Sequence, residues 1–226
     1  MKRTLSLILA GSIVVSGCAS EGSADGKRPM TNMETGAIIG AASGAVIGAV
    51  AYKQNRTAGA IVGAVGGGLA GGAVGAYMDS QKKDLEKSLA KEVKSGAARV
   101  EKMPSNVVKI TMTNQTAFEV DSAQVKSGFN STMDKVADVV IRYGKTTLTV
   151  VGHTDSSGSA EHNQKLSQER ALAVAHYLES KNVNPLRLAT AGKGASEPVA
   201  SNSSESGRQA NRRVEIFVEP VVANKS

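Results

Sequence analysis

In 226 residues the chain has one cysteine, no tryptophan, three phenylalanines, four tyrosines and three histidines. Each shortage excludes something. A lone Cys18 can form neither an intramolecular disulfide nor a multi-cysteine metal site. His153, His162 and His176 lack a ligand spacing such as H-E-x-x-H, and no serine stands in a G-x-S-x-G elbow. The chain is therefore read as a non-enzyme with no cofactor and no metal. Aromatic residues make up 3% of the chain, too few to stack bases along a basic stripe. The net charge of +7 is also spread out, with 11 basic and 8 acidic residues over 18–103, and 14 and 12 over 104–226. Nucleic-acid binding is excluded on these grounds despite a pI near 9.5.

What is present begins with a leader. Lys2 and Arg3 precede an apolar run over residues 5–15, too short to span a bilayer and suited to an export signal. The run ends in Val15-Ser16-Gly17-Cys18, which resembles the lipobox of bacterial lipoproteins. That resemblance implies a signal peptide over 1–17 and acylation of Cys18. It also implies sorting to the outer membrane, because Ala19 rather than an aspartate follows the cysteine. More than one acyl chain is what makes such an anchor stable. Residues 18–34 then read as the lipidated cysteine and a flexible tether.

Residues 35–78 carry a four-residue glycine period. Gly36, Gly40, Gly44 and Gly48 form one series, and Gly59, Gly63, Gly67, Gly71 and Gly75 form the other. In a helix this spacing keeps the glycines on one ridge, so two backbones approach closely. The two uncharged runs would be about 27 and 33 Å long as helices. They read as a helical hairpin similar to the glycine zippers of bacterial envelope proteins. Glycine costs about 1 kcal/mol per residue in a water-exposed helix. Such a segment needs a membrane or another helix, and self-association is one outcome.

Residues 79–98 read as an amphipathic helical linker, with Leu85, Leu89 and Val93 in register. Two alternating stretches around Pro104-Ser105-Asn106 read as a β-hairpin. Residues 127–142 have Phe129, Met133, Val136, Val140 and Ile141 at helical spacing. Strand candidates at 147–151, 186–191 and 212–218 alternate with a second helix over 161–181. That alternation predicts an α/β fold, an α+β sandwich with helices packed on one sheet. The domain is drawn at 99–220, and 221–226 is read as a tail.

The second helix carries the informative pattern. Leu166, Ala173, Val174, Tyr177 and Leu178 share one face, and Asn163 and Arg170 fall inside it. A guanidinium buried there requires an anionic or hydrogen-bonding partner. Residues 147–151 run into Gly152-His153-Thr154-Asp155, which puts Asp155 at a strand end, where α/β folds place ligands. Asp155 and Arg170 then either pair with each other or receive a zwitterion, ammonium on Asp155 and carboxylate on Arg170. The residues alone leave both open.

Asn163-x-x-Leu166-Ser167-x-x-Arg170-Ala171-x-x-Val174-x-x-x-Leu178 resembles the signature helix of the OmpA C-terminal domain family. Gly152-His153-Thr154-Asp155, Gly192-x-Gly194-x-x-x-Pro198 and Gly207-Arg208-x-x-Asn211-Arg212-Arg213-Val214-Glu215-Ile216 follow in the family's order. The resemblance covers residues 107–218 and implies helices on a mixed sheet. It also implies non-covalent binding of peptidoglycan through meso-diaminopimelate, and a domain facing the periplasm. In that reading Asp155 accepts the ammonium, Arg170 clamps the carboxylate, and Thr154 and Asn163 support them. Arg212 is a third contact, Val120 and Asp121 belong to a neighbouring loop, and Arg213 is structural. Lys193 departs from the aromatic or apolar residue common at its position. Two alternatives from other classes stand beside this reading: a membrane-inserting or oligomerising zipper protein, and a peptidoglycan-processing enzyme.

Overall fold

The computed structural model describes residues 68–69, 71–113, 117–119 and 121–222. The expectations for the signal peptide, Cys18, the tether, the hairpin as far as residue 67, and Val120 lie outside them. After a 3-10 turn at Gly71–Ala73 come α1 (Val74–Ser88), α2 (Ala90–Lys94), β1 (Ala98–Lys102) and β2 (Val108–Thr113). Then follow α3 (Ser127–Arg142), β3 (Thr146–Gly152), α4 (Ala160–Ser180), β4 (Leu188–Gly192), α5 (Glu205–Asn211) and β5 (Arg213–Pro220). The five strands form one mixed sheet in the order β1-β2-β5-β3-β4, antiparallel except for the β3/β4 pair. The chain thus adopts the α/β arrangement read from its alternation, with helices on a mixed sheet.

Alternation decides which side of each strand is dry. Ile110 of β2, Val150 of β3, Leu188 of β4 and Ile216 of β5 join one apolar cluster with Met78 and Leu85 of α1, Met133 and Val136 of α3, and Val174 and Leu178 of α4. Each fully buried side chain of this kind contributes roughly 1.5–3 kcal/mol. The opposite side of the sheet holds a smaller cluster of Val107, Val151, Ala191 and Phe217. Glu215 and Glu219, both buried, share that side of β5 with Phe217.

Several sequence boundaries are corrected. The division at residue 78 between hairpin and linker falls inside a single helix. Met78, Gln81 and Leu85 of α1, and Leu89 beyond it, are buried, so residues 74–89 belong to the core rather than to a linker. The zipper helix was also expected to run continuously through residues 68–73. Instead Leu69 makes an isolated bridge with Val222, and 71–73 form a 3-10 turn. That same bridge, with buried Val221 bonded to Lys145, draws 221 and 222 out of the expected tail and into the domain. Val93, expected in register with Leu85 and Leu89, lies beyond the helix boundary at Leu89 and is exposed. Among the described residues, no helix is long and apolar enough to cross a membrane.

Two glycines bring the sheet against α4. Gly152 and Gly192 face each other across the β3/β4 pair. A Cβ on Gly152 would lie 2.1 Å from the Ser167 carbonyl oxygen, and one on Gly192 would lie 2.6 Å from the Gln168 nitrogen. Ser167 Oγ fills the same gap, donating to the Gln164 carbonyl (2.9 Å) and accepting from Gly194 N–H (2.8 Å). The strand ends are thereby locked to the first half of α4, which fixes the turn that follows β3.

Candidate functional site

That turn carries Asp155. Thr154 N–H donates to the Gly194 carbonyl (2.9 Å), and Ser157 N–H donates to Asp155 Oδ1 (2.8 Å). Asn163 Nδ2 donates to the Ser157 carbonyl (2.8 Å). Ser159 caps α4 by accepting from His162 N–H (3.2 Å). So Asn163, expected as a supporting group, supports by shaping the turn. Thr154 Oγ1 is buried, and among the described residues no hydrogen bond satisfies it.

About two helical turns along from Asn163, on the same stripe, stands Arg170, 3% exposed. Its Nε donates to the Ser122 carbonyl (2.9 Å), and its guanidinium lies 5.4 Å from the centre of the Phe118 ring. These contacts come from the segment around Asp121, whose φ of +50° turns the chain back toward α4. Burial pulls the Arg170 guanidinium down to about 10; Asp121 opposes this, Arg212 adds to it, and Asp155 opposes it. Arg170 therefore stays cationic at neutral pH.

Arg212 caps the end of α5 rather than opening the last strand. Its Nη1 meets Asp155 Oδ2, and its Nη2 meets Glu205 Oε1 at 2.7 Å. The sequence left open a direct Asp155–Arg170 salt bridge; among the described residues the ion pair of Asp155 is with Arg212. Burial works against ionisation of Asp155, but the Arg212 guanidinium and the Ser157 N–H outweigh it and hold the carboxyl below the usual range.

Behind the turn, buried Arg213 donates from Nε to Glu215 Oε1 (2.9 Å), and His153 Nε2 lies 3.6 Å from Glu215 Oε2. Arg213 has the structural place expected of it. Burial raises the Glu215 carboxyl, but His153 and Arg213 outweigh this and bring it to about 2. Lys193 pairs outward with Glu197 (2.8 Å), which accommodates a cation where an apolar residue is common.

Asp121, Thr154, Asp155, Asn163, Arg170 and Arg212 line one cleft of about 620 Å³. Sequence reasoning missed Glu205 and Gln209, which also line it, and His162, whose Nε2 lies 2.7 Å from Asp121 Oδ1. Glu205 and Gln209 lie on α5, and seven residues are too few for a helical period to register. Ser204 followed by Glu205 was the available signal, a capping residue with an acid in the first turn. The cleft sets a carboxylate and a guanidinium, each fixed from behind, where a small molecule carrying both charges could meet them.

Residues 117–212 match the OmpA family, and residues 1–79 match the YMGG-like Gly-zipper family. The chain is 38% identical over 136 residues to the probable lipoprotein YiaD of Escherichia coli K12, covering 60% of this chain and 62% of that protein. It is 39% identical over 102 residues to the peptidoglycan-binding protein ArfA of Mycobacterium tuberculosis H37Rv, covering 45% of this chain and 31% of that protein. The match thus spans less than two thirds of either curated relative. Among solved structures, the cell wall anchor of the T6SS from Pseudomonas aeruginosa superposes with a TM-score of 0.56 at 34% identity, over 60% of this chain and 96% of that one. The order of motifs, the mixed sheet under its helices and these matches agree: residues 117–212 form a domain of the OmpA family, with a segment of the YMGG-like Gly-zipper family ahead of it.

Proposed function

We propose that the chain is an outer-membrane lipoprotein, anchored through acylated Cys18, whose periplasmic domain binds peptidoglycan without chemically altering it. The ligand is the amino-acid end of meso-diaminopimelate in the stem peptide, left free where the stem is not cross-linked. Asp155 accepts its ammonium and Arg170 holds its carboxylate. Thr154, Asn163, Arg212 and the loop at Val120 and Asp121 complete the site. The observation that carries this reading is that Asp155 and Arg170 line one cleft while each is fixed by its own backbone contact. A preset pair of opposite charges suits a zwitterion, because little ordering entropy remains to be lost on binding. The peptidoglycan-binding relative and the cell-wall anchor support the choice of polymer.

The test is co-sedimentation of the detergent-solubilised full chain with purified sacculi, beside Asp155→Ala and Arg170→Ala variants checked by circular dichroism. Wild type should pellet, and each folded variant should bind at least about tenfold more weakly, as expected for loss of a charge-assisted contact. Sacculi with lysine in place of diaminopimelate lack the side-chain carboxylate and should retain little protein. Wild type left in solution would overturn the reading.

A further inference from the structure

Glu205 has no part in the zwitterion clamp as described, yet it lines the same cleft as Asp155. Its Oε1 takes Arg212 Nη2 at 2.7 Å, while its Oε2 takes Arg208 Nε at 3.0 Å and Nη2 at 2.8 Å. Arg212 meanwhile reaches Asp155 through its other terminal nitrogen. One guanidinium therefore bridges two carboxylates that line the same cleft.

The charge count decides what this arrangement does. Asp155 and Glu205 supply two negative charges, and Arg208 and Arg212 supply two positive ones. Arg208 is drawn away from the cleft, with Nη1 donating to the Asn202 carbonyl at 2.9 Å. Without Glu205, Arg212 has Asp155 as its one carboxylate partner. The full charge of Arg212 would then fall on Asp155 alone where an ammonium is to bind, and like charges at close range oppose binding.

We propose that Glu205 is a positioning and specificity-determining residue. By sharing Arg212 it keeps Asp155 able to accept an ammonium, and it makes the cleft select stems with a free amine over stems whose amine is acylated by a cross-link. This inference rests on the zwitterion reading of the cleft. It gives that cleft a way to distinguish uncross-linked from cross-linked wall, since acylation removes the charge that Asp155 and Glu205 jointly receive.

The experiment titrates the detergent-solubilised full chain with two labelled stem tripeptides ending in meso-diaminopimelate. One has the side-chain amine free, and the other has it acetylated. Wild type should favour the free amine at least tenfold. Glu205→Gln should weaken the free-amine peptide about fivefold or more and leave the acetylated one within twofold, erasing most of the preference. Glu205→Asp should restore most of it. Equal weakening of both peptides in Glu205→Gln, or an unchanged preference, overturns the inference. If Asp155→Ala abolishes the preference while Glu205→Gln does not, the zwitterion reading stands and the role of Glu205 falls. Wild type that binds neither peptide overturns both.

Discussion

Two glutamates stand four residues apart on the same side of β5, and the sheet treats them in opposite ways. Glu215, at the cleft end, has Arg213 on one carboxylate oxygen and His153 near the other. Glu219, at the far end, is equally buried, and among the described residues no ion pair reaches it. The first carboxyl falls to about 2, and burial pushes the second up to about 7. Burial alone thus does not decide the ionisation of an acid; the partner does. At the cleft end of the sheet the buried carboxylate is paired, behind the turn that bears Asp155. The far end changes charge near neutral pH.

Breaking the satisfied end should have the largest effect. Glu215→Gln leaves buried Arg213 without its carboxylate and should cost about 3 kcal/mol or more, read as a drop in urea midpoint at pH 7. A loss below about 1 kcal/mol would show that the two ends do not differ. Glu219→Gln sharpens the contrast from the other side. Between the ordinary glutamate value of 4.5 and about 7, the folded chain holds a proton on Glu219 that the unfolded chain releases. Stability therefore falls as pH rises through that window and levels off above it. Glu215 has the opposite sign, its contribution complete above 4.5 and lost as pH falls toward about 2. Glu219→Gln should remove this decline, gaining up to about 3 kcal/mol at pH 8 and almost nothing at pH 4. The smallest effect is expected at the cleft rim, where His162 and Asp121 pair while both remain exposed. His162→Ala should shift stability by no more than about 0.5 kcal/mol, by thermal melting.

The sequence reading went as far as local periodicity and buried charge reach. Residues 127–142 gave α3 its exact span because Phe129, Met133, Val136 and Val140 return to one face. Ile141 shares their chemistry but falls about 100° away, and it is exposed. Asp155 and Arg170 were legible, one at a strand end and the other inside an apolar stripe. The partner of Asp155 was not, since Arg212 lies 57 residues on and only the folded sheet joins them. The break at Leu89 was equally hidden, because the spacing of Leu85, Leu89 and Val93 suits an unbroken helix.

The bridge between Leu69 and Val222 has a mechanical consequence. If the chain is anchored at its amino end and grips a polymer with its cleft, as proposed, tension enters the domain beside the last residues of β5 and leaves near its first, where Val214 pairs with Gly152. Those points are separated by the length of β5, about 26 Å. The pull runs along the strand, in shear, across thirteen residue pairs with β2 and β3 that share the force instead of parting one at a time. Overload should release the polymer while the sheet stays whole, so the connection can slip and reform without refolding.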